Sequence, residues 1–157
     1  PLPTFEETCV AMSGGEQYSV IDLKDAYLQL SVAEESKKYL IISTHKGFFR
    51  YKKMPFGISS APAKFQRTME IILAGIEGVQ CYLDDIIITA KDKETHVRKV
   101  DNVLERLNKA GMRVQLPKCK WLQDSVIYLG HRFDRKGIHP TEEHVQAIRQ
   151  MPEPSNV

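Results

Sequence analysis

Asp84 and Asp85 stand side by side in Cys81-Tyr82-Leu83-Asp84-Asp85-Ile86-Ile87-Ile88, a run otherwise suited to a buried strand. Aspartate is depleted in strands, and a buried charge without a partner is costly. Adjacent side chains on a strand point to opposite faces, so both carboxylates reach one site only where the chain turns. The pattern predicts a β-hairpin tipped by Asp84-Asp85. Such a tip either holds hard divalent cations or is a solvated turn, a use to which aspartate is also suited. A third acid, Asp22, closes the apolar run Val20-Ile21 ahead of Leu23-Lys24-Asp25. If the two strands are neighbours, Asp22, Asp84 and Asp85 meet at one sheet edge, where they repel and raise one another's pKa unless cations neutralise them. Two Mg²⁺ ions roughly 3.5–4 Å apart would relieve that repulsion and support in-line phosphoryl transfer. Taken alone, Asp22 serves equally as the N-cap of a short turn through Lys24 and Asp25.

The elements that must carry these acids follow from periodicity. Tyr18 to Leu23 reads as a strand leaving the Gly14-Gly15 turn, and Tyr39 to Ser43 with Phe48 to Lys53 as a hairpin around Thr44-His45-Lys46-Gly47. Ser59 or Ser60 is placed to cap a helix with Pro62 in its first turn, running to about Leu73 with Phe65, Met69 and Ile72 on one face. After the Tyr82 hairpin, Val97, Val100, Val103, Leu104 and Leu107 define a second helix that Gly111 stops. Val126 to Phe133 and the segment around Ile138 read as a final hairpin across Asp134 to Gly137, and Thr141 as the cap of a short helix opened by Glu142 and Glu143. This order predicts an α+β fold: an antiparallel sheet with helices packed on one face.

Composition bounds the partners. The 157 residues are 42% hydrophobic, enough for one domain with its own core. Cys9, Cys81 and Cys119 share no metal-ligand spacing and read as reduced thiols of an intracellular protein. No run is long and apolar enough for a membrane span, and the N-terminus lacks signal-peptide features. The net charge of +2 demands no polyanionic partner. Lys46, Arg50, Lys52 and Lys53 nevertheless surround Phe48, Phe49 and Tyr51, a mixture that suits either a phosphate backbone with stacked bases or a solvated strand face.

Read together, the motifs resemble the reverse transcriptase palm of gypsy-type long-terminal-repeat retrotransposons, and of retroviruses and pararetroviruses. Pro1-Leu2-Pro3 with Phe5-Glu6-Glu7 resembles the opening of the helix before the palm. Asp22 to Tyr27 resembles the first catalytic motif, and Met54-Pro55-Phe56-Gly57 with Ser59-Ser60-Ala61-Pro62-Ala63-Lys64-Phe65-Gln66 the second. Tyr82-Leu83-Asp84-Asp85 resembles the third, Leu116-Pro117-Lys118-Cys119 the fourth, and Tyr128-Leu129-Gly130-His131 the primer-gripping hairpin.

The resemblance implies a ferredoxin-like polymerase palm with a remnant of the fingers, residues 44–61 forming the finger base. Asp22, Asp84 and Asp85, with the Leu23 carbonyl, would hold two Mg²⁺ ions, or Mn²⁺ in their place. Asp25 and Ala26 would offer backbone N–H groups to the triphosphate, and Tyr27 would exclude a 2′-hydroxyl. Phe56 and Gly57 would shape the nucleotide pocket, and Lys118 would approach the triphosphate or protonate the pyrophosphate. Pro55, Pro62 and Tyr82 would lie against template or primer, and Leu129, Gly130 and His131 against the primer. No other His or Cys stands at ligand spacing from His131, so it reads as structural rather than as a metal ligand. Phenylalanine at Phe56, where retroviral enzymes carry glutamine, aligns the chain with the gypsy type. Implied partners are an RNA or DNA template, a DNA primer, deoxynucleoside triphosphate, and the fingers, thumb, connection and RNase H of a polyprotein. Without basic finger strands and a thumb, these 157 residues are expected to extend a primer weakly or not at all. A non-catalytic nucleic-acid-binding module from a retroelement and a nucleotidyl cyclase on a similar scaffold are the alternatives. The polymerase-like Tyr27, Pro55-Phe56-Gly57 and Tyr128-to-Gly130 elements disfavour the cyclase.

Overall fold

A computed structural model describes residues 2–150. In chain order the elements are α1 (Phe5–Met12), β1 (Gln17–Asp22), β2 (Ile41–Thr44), β3 (Gly47–Arg50), α2 (Ala61–Leu73), β4 (Val79–Tyr82), β5 (Asp85–Ala90), α3 (Lys93–Lys109), β6 (Lys120–Gln123), β7 (Ser125–Tyr128), β8 (His131–Asp134), β9 (Gly137–Pro140) and α4 (Glu142–Arg149). Short 3₁₀ turns occupy Ala26–Gln29, Glu34–Tyr39 and Leu116–Lys118. Pro1 of the expected N-terminal motif and residues 151–157 lie outside the described residues.

Local chemistry starts and stops the helices. Thr4 and Glu7 form a reciprocal capping box ahead of α1. Pro62 sits in the first turn of α2 as expected, but Ser60 adopts a helical conformation and its hydroxyl makes no cap bond. Asp92 caps α3 by accepting the Thr95 N–H at 2.8 Å.

An antiparallel sheet in the order β4-β5-β1-β6 forms the centre. Its central strands β1 and β5 are buried on both faces. Ile21, Cys81, Ile86 and Ile88 pack with Phe65, Met69, Leu73, Val103 and Leu107 of α2 and α3, the expected helical layer. Val20 and Ile87 on the opposite face pack with Met12 of α1 and with Val126, Tyr128 and Phe133 of a second sheet, β7-β8-β9. Each large apolar side chain buried here contributes about 1.5–3 kcal/mol.

Several expectations are corrected. The acidic hairpin turns at Leu83-Asp84, not Asp84-Asp85, because Asp85 already pairs with Tyr82 as the first residue of β5. Leu83 takes the left-handed conformation that closes so short a turn, with φ of 55°. Tyr39 ends a 3₁₀ turn, β3 stops at Arg50, and only His45-Lys46 separates β2 from β3. Val126 to Phe133 is two strands, divided by Leu129 and Gly130, both at positive φ. His96, not the 38%-exposed Val97, joins the buried face of α3.

Candidate active site

The central sheet brings the three acids together. β1 and β5 pair so that Asp22 lies opposite Asp85, just as Val20 lies opposite Ile87. Directly opposed residues of an antiparallel pair project to the same face, so Asp22 and Asp85 are cross-strand neighbours. The turn adds Asp84, whose carbonyl accepts the Leu23 N–H at 2.8 Å. Three carboxylates thus crowd one end of the sheet, and Asp85 carries the consequence. Its pKa is raised to about 6 by burial, then by Asp84 and Asp22, with Lys118 opposing. Lys118 Nζ lies 3.7 Å from Asp22 Oδ2. Among the described residues no three Asp, Glu, His or Cys side chains are gathered into a ready metal cage. The donor set nonetheless suits a hard cation: oxygen ligands with excess negative charge, opposed by one exposed lysine.

A cavity of about 230 Å³ opens beside these acids, lined by Asp22, Leu23, Asp25, Ala26, Tyr27, Phe56, Asp84, Gln115 and Lys118. The Leu23 side chain is buried in the core below. Asp25 adopts a left-handed conformation, with φ of 48°, and begins the 3₁₀ turn that carries Ala26 and Tyr27. The Tyr27 ring is held edge-on between Phe56, 5.4 Å away, and Phe65, 5.5 Å away. Burial, with Asp84 adding to it, keeps its phenol above the usual range. Gly57 sits at φ of 86° with open space where a Cβ would stand, so the backbone turn rather than crowding within the chain calls for glycine.

The remaining expected residues lie outside this cavity. Pro55 and Pro62 are partly buried on the approach to α2 and in its first turn. Tyr82 packs against the α1 and β7-β8 side of the sheet with Leu129. Leu129 and Gly130 form the β7–β8 turn, and His131 Nδ1 donates to the Leu129 carbonyl at 3.0 Å while its ring lies 4.2 Å from Phe5.

Sequence reasoning missed three contributors. Gln115 lines the cavity, and its N–H donates to the Asp22 carbonyl at 2.8 Å. Gln29 holds the segment after Asp22, its carboxamide oxygen accepting the Arg113 N–H and its nitrogen donating to the Lys24 and Arg113 carbonyls. Gln66, 2% exposed within α2, bonds the backbone of the acidic hairpin. A glutamine on an otherwise apolar helix face was the available signal for Gln66.

Comparison with known proteins identifies the family and the fold. Residues 1–133 match the family described as Reverse transcriptase (RNA-dependent DNA polymerase). The chain is 42% identical over 156 residues to an uncharacterized protein of Caenorhabditis elegans, and 35% identical over 158 residues to the Transposon Tf2-3 polyprotein of Schizosaccharomyces pombe. Each alignment covers 99% of this chain but 12% of the relative. The foamy viral protease-reverse transcriptase in complex with RNA/DNA hybrid superposes with a TM-score of 0.85 at 22% identity, covering 98% of this chain and 21% of that one. The same enzyme in complex with dsDNA gives 0.85 at 22% identity, with 98% and 32% covered. Paired acids at the end of an antiparallel sheet, an aromatic-walled cavity beside them, and a family match across most of the sequence converge: the chain belongs to the reverse transcriptase family.

Proposed function

We propose that this chain is the palm, with the base of the fingers at residues 44–61, of an RNA-directed DNA polymerase from a gypsy-type retroelement polyprotein. It adds deoxynucleotides to a DNA primer on an RNA or DNA template, inside the cell. The observation that carries this reading is the Asp22–Asp85 register with Asp84 at the adjoining turn; the Asp85 pKa, raised first by burial and then by Asp84 and Asp22, is in keeping with it. Asp22, Asp84, Asp85 and the Leu23 carbonyl are the residues suited to hold divalent cations. Two Mg²⁺ ions (or Mn²⁺) held by these groups would neutralise triphosphate charge and lower the pKa of the primer hydroxyl.

The protein's own groups do the rest. Backbone amides at Asp25 and Ala26 face triphosphate oxygens, which amides suit. Tyr27, braced by Phe56 and Phe65, occupies the volume a ribose 2′-hydroxyl needs and so selects deoxynucleotides. Lys118 places positive charge beside Asp22, where it meets the leaving pyrophosphate. Phe56 and Gly57 shape the nucleotide pocket, Pro55, Pro62 and Tyr82 border template and primer, and the Leu129-Gly130-His131 turn lies along the primer. Phe56 supports the gypsy-type assignment.

Primer extension by the longer natural product of this gene tests the reading, on RNA and DNA templates. Asp84→Asn and Asp85→Asn are each expected to reduce kcat by at least about 100-fold, the scale of losing a group that stabilises transition-state charge. Extension surviving both substitutions overturns the assignment of the acids. Mg²⁺-independent duplex binding without extension would instead identify a binding module.

A further inference from the structure

The acidic hairpin is tied down from both faces of the sheet by side chains that line neither the cavity nor the acids. On the α2 side, the Gln66 carboxamide grips it twice. Its Nε2 donates to the Cys81 carbonyl at 2.8 Å, and its Oε1 accepts the Leu83 N–H at 2.9 Å. Gln66 is 2% exposed, so neither bond can be replaced by bulk water. On the opposite side, the Tyr128 hydroxyl of β7 donates to the Asp85 carbonyl at 3.1 Å. The Tyr128 ring is itself buried, edge-on to Phe133 at 6.2 Å. Between these straps lies Leu83, a non-glycine residue held at φ of 55°. That conformation persists only where the surroundings over-determine it.

We propose that Gln66 and Tyr128 are positioning residues that fix the backbone of the Leu83-Asp84 turn, and with it the aim of Asp84 and Asp85. The inference rests on reading those acids as the cation-binding pair. Gln66 acts from within the second sequence motif and Tyr128 from the strand leading into the Leu129-Gly130 turn. The hairpin therefore takes its geometry from two elements that are themselves placed against template and primer. The two-point grip by one carboxamide holds the two successive peptide planes on either side of Tyr82, which a single bond cannot do, because donor and acceptor must both be met.

The experiment compares Gln66→Met, Gln66→Glu, Tyr128→Phe and Met69→Ala with the unmodified chain. Three readouts are used: amide exchange at Leu83, Mn²⁺ titration, and primer extension by the longer natural product. Gln66→Met is expected to speed Leu83 amide exchange at least tenfold relative to Ile21 and Ile87, and to weaken Mn²⁺ binding three- to tenfold. Gln66→Glu keeps an acceptor for the Leu83 N–H and is expected to retain that protection. Tyr128→Phe preserves the ring and is expected to weaken Mn²⁺ binding about threefold, lowering kcat with the nucleotide KM within twofold. Met69→Ala removes core packing from the same helix without touching the turn, so its Mn²⁺ affinity should stay within twofold. Should Gln66→Met and Tyr128→Phe lose only melting temperature, with Leu83 exchange and Mn²⁺ affinity within twofold, the two residues are ordinary core polar groups and the proposal is overturned. Asp84→Asn and Asp85→Asn serve as the separate arm. Unchanged Mn²⁺ binding there defeats the underlying reading of the acids, whereas loss there beside unaltered Gln66 and Tyr128 variants defeats the positioning role alone.

Discussion

Asp85 concentrates the electrostatic tension of the site. Its carboxyl titrates near 6 rather than 3.8, first because it is buried and then because Asp84 and Asp22 face it. Between those two values the folded chain holds a proton that the unfolded chain releases, so this group lowers stability as pH rises from about 4 to 6. The penalty is complete above pH 6. In the metal-free chain at pH 7.5, Asp85→Asn is expected to raise the melting temperature by roughly 2–4 °C, the shift that about 1 kcal/mol produces at this size. At pH 4 the gain should vanish. Mg²⁺ should raise the melting temperature of the unmodified chain more than that of Asp85→Asn, which differential scanning fluorimetry can read. His96 acts in the opposite sense as pH falls below its usual range. Burial, with Lys99 adding to it, holds its imidazole below the usual 6.5, so folding is weakened as acid protonates it. Comparing Asp85→Asn with the unmodified chain at each pH cancels the histidine and isolates the carboxylate.

At the scale of elements, the junction between β4 and the end of β5 is unusually tight. Gly78 holds φ of 71°, and a Cβ there would lie 2.7 Å from the Thr89 carbonyl oxygen. Gly78→Ala therefore combines left-handed strain with a backbone clash, and is expected to cost about 2–3 kcal/mol in urea unfolding. Strong periodicity made the principal elements legible in the sequence. The β1 strand, the acidic hairpin, α2 and α3 each carry an apolar stripe that burial of one face requires. The pairing of β1 with β5 enters the sequence only as a condition for Asp22, Asp84 and Asp85 to meet, since a turn or an N-cap accounts for either acidic element alone. What escaped is what lacks a pattern. β6 has little alternation, its Leu122 sits at φ of 52°, and its register against β1 slips between Tyr18 and Val20. It is held instead by the buried Ser19 hydroxyl, which accepts the Leu122 N–H at 3.0 Å and bonds His96 Nε2 at 2.8 Å. Gln29, Gln66 and Gln115 escaped for a similar reason. Gln29 and Gln66 through their carboxamides, and Gln115 through its backbone N–H, bond backbone groups of segments remote along the chain, so even the polar break that Gln66 makes in an apolar helix face does not name its partner.

Across the whole molecule, the central sheet is a shared wall between two apolar layers, with the helices α2 and α3 on one side and α1 with β7-β8-β9 on the other. The β2-β3 ribbon stands apart from both layers and exposes Phe48 and Phe49. The chain spans 12% of the curated relatives' length. On the proposed reading of it as a polymerase palm, single-turnover extension by these 157 residues is expected to fall at least tenfold below that of a whole polyprotein, with the deficit growing as salt is raised. The pairing of β1 with β5 has one further consequence, for how such a gene can vary. Side chains along a strand alternate with a period of two, so deleting one codon within β1 gives Asp22 the parity of Ile21 and turns it toward Phe65 and Met69. Changes of length are thus barred inside β1 and β5. The exposed His45-Lys46 turn, which sets no carboxylate, is free to grow.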